Sequence, residues 1–122
     1  MKLHLDRFGN HNAFTGYGEG YVLINEQRFE RSLIVLADRI IADWAPRRVE
    51  ELTPADSALL ADLGVDIILL GTGPRLCFPP APLLQTLTGR GIGLEVMDSH
   101  AAARTYNILL AEGRRVAAAL LL

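Results

Sequence analysis

Residues 94 to 122 constrain the fold more than any other part of the chain. Read in order they give strand, helix and strand with almost no linker. Gly93 to Met97 is a short apolar run, Asp98 or Ser99 caps a helix, Gly113 stops it, and Arg115 to Leu121 is a last strand. The polar residues of the stretch, Asp98, Ser99, Arg104, Thr105, Asn107, Glu112, Arg114 and Arg115, stand in an otherwise apolar sequence. Each therefore needs a structural or functional reason.

The preceding segment extends the same alternation. Asp66 to Leu70 carries four consecutive apolar residues, Ile67-Ile68-Leu69-Leu70, with no polar alternation. That pattern fits a central strand covered on both faces. Gly71-Thr72-Gly73-Pro74-Arg75 follows at its carboxyl end. Pro79, Pro80 and Pro82 then open a helix over Ala81 to Thr88, which Gly89 and Gly91 close. Upstream, Thr53-Pro54-Ala55-Asp56 starts a helix with an N-cap, a proline in the first turn and an acid at the positive end of the dipole. Leu59, Leu60 and Leu63 form its expected buried stripe, and Gly64 stops it.

The first half reads differently. Leu3, Leu5 and Phe8 fit a short edge strand. Gly16, Gly18 and Gly20 alternate with Tyr17 and Glu19, but a phosphate loop needs a strand before it and a helix after it. Here Tyr21-Val22-Leu23-Ile24 follows, a strand, so the glycines read as a bent entry to a hairpin. That hairpin runs from Tyr21 to Ile24, turns at Asn25-Glu26-Gln27 and returns over Arg28 to Val35. Arg39 to Trp44 makes a third strand that Pro46 ends.

Strands first and βαβαβ afterwards predict an α/β domain of three layers. A mixed central sheet carries helices packed on it and an N-terminal antiparallel hairpin. At 122 residues, half of them hydrophobic and 21% charged, residues 1–122 fit one domain with one core. The formal net charge of −2 gives no basic footprint for nucleic acid. The single cysteine, Cys77, excludes an internal disulfide, and His4, His11 and His100 lack metal-ligand spacing. No metal or cofactor is implied. No apolar run approaches the ~18 residues of a membrane span, and no presequence opens the chain. The expected setting is the cytoplasm, and the expected state a monomer.

If the strands at 66–70 and 93–97 are parallel, their carboxyl ends open on one side of the sheet, where ligands of open α/β sheets lie. The candidate ligand-binding residues are Gly71, Thr72, Gly73, Arg75, Asp98, Ser99 and Arg104. The glycines let a backbone approach, the helix start aims N–H groups outward, and the arginines add positive charge. The competing reading makes Gly71-Thr72-Gly73 a tight turn only. Glu112 opposes the helix dipole in the last turn, so an ion pair with Arg114 or Arg115 is expected; a general acid or base is the sharper alternative. Cys77, between Leu76 and Phe78, reads as a buried inert thiol. Ser99 and His100 are adjacent but no oriented carboxylate follows, so no triad is set up. Trp44 reads as the edge of the core, or as a binding anchor. On the last helix Tyr106, Ile108 and Leu109 should face the sheet, with Arg104, Asn107 and Ala111 turned elsewhere.

The run Val96-Met97-Asp98-Ser99, Ala101-Ala102, Arg104-Thr105-Tyr106-Asn107, Leu109, then Glu112-Gly113-Arg114-Arg115-Val116-Ala117-Ala118-Ala119-Leu120 resembles the C-terminal signature of a family of small uncharacterised α/β domains. That family includes mitochondrial respiratory complex I assembly factor three and an adipogenesis-associated human relative. Tyr17-Gly18, Gly20, Trp44 and Leu69-Leu70-Gly71-Thr72-Gly73 extend the resemblance over nearly the whole chain. Ser99 stands where many members carry Thr, which keeps the hydroxyl. Without a mitochondrial presequence, the chain looks like a bacterial member. The resemblance implies a three-layer α/β fold whose last strand runs antiparallel. For the mitochondrial member only, it also implies a non-enzymatic role in assembling a membrane complex with a partner factor; for this chain the expectation is a non-enzymatic protein-binding or assembly module with an unidentified protein partner. The alternative is a small-molecule or anion-binding protein, with or without a reaction, using the crevice at Gly71, Gly73 and Ser99.

Overall fold

The computed structural model describes residues 9–122, so the strand expected around Leu3 to Phe8 lies outside the described residues. The first described strand is β1 (Phe14–Gly18), which turns at Glu19-Gly20 and pairs antiparallel with β2 (Tyr21–Ile24). Gly20 takes φ +77 in that turn. Asn25 and Glu26 follow with φ 49 and 73, a two-residue left-handed turn whose twist suits a hairpin, and β3 (Gln27–Phe29) closes the small sheet. The glycine-rich stretch is thus itself a strand and not a bent entry. Glycines carry no side chains, so a period of two is invisible there, yet Ala13 to Tyr17 are all buried.

The second arm of the expected hairpin divides. Residues 27–29 stay beside β2, while β4 (Leu33–Leu36), buried throughout, joins a second sheet. The strand expected over 39–44 contracts to β5 (Ile40–Ile41), because Asp43 adopts φ 55 and Trp44 N donates to Ser32 O at 2.8 Å. Then comes α1 (Pro54–Ala61) with a complete capping box. Thr53 Oγ1 accepts from Asp56 N at 3.3 Å, and the Asp56 carboxylate accepts from Thr53 N at 2.9 Å. Leu60 and Leu63 are buried as the stripe requires, whereas Leu59 is 39% exposed.

The remainder is β6 (Ile67–Gly71), α2 (Ala81–Thr88), β7 (Gly93–Met97), α3 (Ser99–Ala111) and β8 (Val116–Leu120). The second sheet has the order β5-β4-β8-β6-β7. β6 is parallel to β7 and β8, and β4 is antiparallel to β5 and β8. The last strand is therefore antiparallel only to β4. It runs parallel to β6 because α3 carries the chain back across the sheet before β8 begins. β7, whose short apolar run reads as a buried strand like β6, is instead an edge strand with Gly93 and Glu95 exposed.

Alternate residues of the sheet feed two cores, as a period of two demands. Leu33, Val35, Leu69, Val116, Ala118 and Leu120 pack with α3 and the small sheet, through Phe14, Tyr17, Val22 and Ile24. Ile34, Leu36, Ile68, Leu70, Ala117, Ala119 and Leu121 pack with α1, α2 and Trp44. Three layers result. The central β8 is buried along its whole length, and its three alanines let both outer layers approach the sheet.

α3 is rotated from the expected face. Ile108 is 58% exposed, while Asn107 is buried. The physical reason lies in β1, an edge strand of the small sheet, whose Phe14 turns its N–H and C=O away from β2. The Asn107 amide supplies what the ladder lacks there. Its Oδ1 accepts from Phe14 N at 2.9 Å, and its Nδ2 donates to Phe14 O at 2.8 Å. Tyr106 meets Phe14 edge to face at 5.3 Å and donates to Asn12 O at 2.8 Å. Burial pushes the Tyr106 phenol well above its ordinary pKa.

Candidate functional site

The parallel pairing of β6 and β7 brings Gly71 to Gly73 and the start of α3 together at one end of the sheet. Gly71 pairs with Met97 on one side and Leu120 on the other. Beyond it the chain ties itself in. Thr72 N donates to Met97 O at 2.9 Å, Ser99 N donates to Gly73 O at 2.9 Å, and Leu121 N donates to Gly71 O at 2.8 Å. The buried Ser99 hydroxyl accepts from Gly73 N at 2.8 Å and donates to Leu121 O at 2.8 Å. One side chain thus joins β6, α3 and the end of β8.

The glycines are explained by this closeness. A Cβ on Gly71 would stand 2.7 Å from Leu120 Cδ2 and 2.8 Å from Ser99 Cα, and Gly73 has φ +93. The Thr72 hydroxyl donates to Arg75 O at 2.6 Å and accepts from Cys77 N at 3.1 Å, which folds the following loop over the strand end. Asp98 is the N-cap of α3, its carboxylate accepting from Ala101 N at 2.8 Å. Arg104 donates to the Tyr17 hydroxyl at 2.7 Å, and His100 stacks on Tyr17 with centroids 4.4 Å apart. Of the candidate residues, Gly71, Thr72, Gly73, Asp98 and Ser99 come together. Arg104 lies one turn further along α3 against β1. Arg75 is exposed on the loop, and its guanidinium has no hydrogen bond or ion pair among the described residues.

Glu112 ends α3 as its C-cap. Arg114 Nη1 lies 4.0 Å from Glu112 Oε1, with both side chains more than half exposed. Arg115 instead pairs with Asp66 at 2.9 Å. The Arg115 guanidinium, hydrogen-bonded to Asp66, holds that carboxyl below its ordinary pKa. Cys77, read as buried, is exposed, because Thr72 anchors its backbone and the rest of the loop stands clear of the core. Its neighbours Leu76 and Phe78 are 54% and 68% exposed. Sequence reasoning passed over both; the available signal was two large apolar residues in a proline-rich loop with no partner at helical or strand spacing. Trp44 is buried in the core on the α1 and α2 side. Among the described residues no group of three or more His, Cys, Asp or Glu is placed to hold a metal ion.

Fold and geometry define a small three-layer α/β domain whose sheet-end loops are stitched to each other. The chain belongs to the family described as "Protein of unknown function (DUF498/DUF598)", whose profile matches residues 14–121. An uncharacterized protein of Rhodobacter capsulatus is 37% identical over 107 residues, covering 87% of this chain and 81% of that protein. A 13 kDa major membrane protein of Francisella tularensis is 26% identical over 105 residues, with 84% and 85% covered. The human NADH dehydrogenase [ubiquinone] 1 alpha subcomplex assembly factor 3 is 30% identical over 107 residues, which is 86% of this chain and 58% of the human protein. A crystal structure of a Bordetella parapertussis protein superposes with a TM-score of 0.85 at 39% identity, over 91% of this chain and 95% of that one. Among the described residues no helix is long and apolar enough to cross a membrane.

Proposed function

We propose that this chain is a non-enzymatic protein-binding or assembly module. One observation carries the reading. At the sheet end where an α/β protein would hold a ligand, the polar groups are consumed within the chain, while Leu76 and Phe78 stand exposed on the loop above them. Two large apolar side chains held in water close together beside a rigid strand end favour a surface that a partner covers. The assembly factor among the relatives supports a protein partner, and since this chain spans 58% of that protein, its role enters here as a proposal.

The rival reading, a small-molecule or anion site at Gly71, Gly73 and Ser99, draws its support from Arg75, a guanidinium without a partner beside the glycine loop. In this role the chain works in the cytoplasm and is monomeric on its own, which fractionation of the host and sedimentation of the purified chain would check.

The test is cross-linking and affinity capture in the native host, followed by mass spectrometry, with wild type, Leu76→Ser/Phe78→Ser and Arg75→Ala. The expected result is a discrete protein partner captured by wild type and Arg75→Ala and lost with the double variant. Capture of a small molecule that depends on Arg75, with no protein partner, would replace this reading by its rival.

A further inference from the structure

β7 closes the five-stranded sheet on one side, and its outer edge has no hydrogen-bonded neighbour among the described residues. Its inner bonds fix which backbone groups face outward. Gly93 N donates to Asp66 O at 2.9 Å, and Met97 O accepts from Thr72 N at 2.9 Å. In a parallel pair a residue's N–H and C=O turn toward the same neighbour, and successive residues alternate. Gly93, Glu95 and Met97 therefore bond inward to β6. Leu94 and Val96 present both their N–H and their C=O groups to the free edge. An open ladder of this kind is a template for one more strand.

The surroundings specify the strand. Leu94 and Val96 turn their side chains into the core on the α1 and α2 side, so they do not obstruct the edge. Pro79 lines a shallow cleft with Leu94, Leu84 and Leu87, which places the loop bearing Leu76 and Phe78 at the Met97 end of β7. Glu95 points to the other face. It is exposed, and its carboxylate has no ion pair or hydrogen bond among the described residues.

We propose that β7 accepts an extended segment of a partner protein as a sixth strand, with a Lys or Arg opposite Glu95 and apolar residues against Leu76 and Phe78. This inference rests on the protein-binding reading above and gives it a place and a chemistry. A second copy of this chain is the competing occupant. The antiparallel self-pairing that uses all of β7 sets Gly93 against Met97 and Glu95 against Glu95. Like charges directly opposite are destabilising, so the edge favours a foreign strand that brings a cation.

The experiment uses two synthetic ten-residue peptides of alternating Thr and Val, one with Lys at its centre and one with Glu, titrated into the full isotope-labelled chain. The Lys peptide should saturably shift the Leu94 and Val96 amide signals and slow their hydrogen exchange, leaving Gly93 and Glu95 amides little changed. The Glu peptide should bind about threefold to tenfold more weakly, the span expected for a cross-strand charge pair. Glu95→Lys should reverse that order. Val96→Pro removes one outward N–H, leaves the inner ladder intact on an edge strand that tolerates proline, and should weaken both peptides. If Val96→Pro does not fold, the charge reversal at Glu95 decides alone. Equal affinity for the two peptides, or no saturable change at Leu94 and Val96, overturns the proposal, as does dimerisation of the chain through these amides. Host capture separates the two readings. A partner lost with Leu76→Ser/Phe78→Ser but retained by Glu95→Lys and Val96→Pro sinks the sixth strand and keeps the binding module. No partner with any form sinks the module, while the peptide titration still judges the edge.

Discussion

Residues 71–73 and residues 74–78 are neighbours in the chain and opposite in their physics. The first three are glycine and threonine, which bring almost no apolar side chain, and all are buried. The next five include Leu76, Cys77 and Phe78, residues usually found in cores, and all are exposed. The inversion has one origin. The close approach of β6, α3 and β8 leaves no room for side chains at Gly71, so the backbone and the Ser99 hydroxyl satisfy one another there. Thr72 then pins the following loop by its backbone, which leaves the loop's side chains free to face outward. Polar composition at this strand end therefore marks construction, and the binding proposed above falls to the apolar loop beside it.

The largest expected effect falls on the buried side of that contrast. Gly71→Ala forces a methyl group against Leu120 and the Ser99 backbone, and should cost about 3 kcal/mol, the upper part of the range for overpacking. Urea denaturation measures it; an unchanged midpoint would mean the strand end is looser than the contacts indicate. Ser99→Ala comes next. It leaves Gly73 N–H and Leu121 C=O buried without partners, at about 2 kcal/mol. Ser99→Thr, which keeps the hydroxyl, should recover most of that loss if the pocket admits the methyl group.

On exposed charges the effects shrink. Asp66 is held below its ordinary pKa by Arg115, so the sign of its contribution is fixed. Its share of stability is present above the unfolded-state pKa and is lost as pH falls through the folded value. Asp66→Asn should lower the melting temperature slightly at neutral pH, converge with wild type in acid, and so flatten that part of the acid dependence. The smallest effect is expected for Glu112→Gln. The Arg114 contact is long and solvated, and an exposed pair contributes under ~1 kcal/mol. A loss of several kcal/mol there would mean that Glu112 has a buried partner in solution.

The sequence was legible where one period dominates. Helices α1 and α2, the strands β6 to β8 and the caps at Thr53 and Asp98 follow from apolar runs, prolines and glycines, and residues 81–88 and 93–97 match their expected bounds. β1 was hidden because its glycines carry no pattern. The rotation of α3 was hidden because Asn107 caps the free edge of a strand 93 residues away, which no local period records. The same limit applies at the candidate site. Sequence brings Gly71 and Ser99 to one end of the sheet, but whether their donors face a ligand or each other depends on distances of a few tenths of an ångström. The edge position of β7 was missed because a run such as Leu94-Glu95-Val96-Met97 reads alike at the centre and at the rim once its partners are unknown.

The central claim, that the buried strand end builds the fold and the exposed loop does the binding, is tested most directly by one paired measurement. Partner capture from the native host is compared for Ser99→Ala and Leu76→Ser/Phe78→Ser, each normalised to its folded fraction from thermal denaturation. Ser99→Ala should be less stable and capture the partner as well as wild type does. The double variant should melt like wild type and capture nothing. Folded Ser99→Ala that has lost the partner, with the double variant still binding, would place the function at the glycine loop and contradict the account.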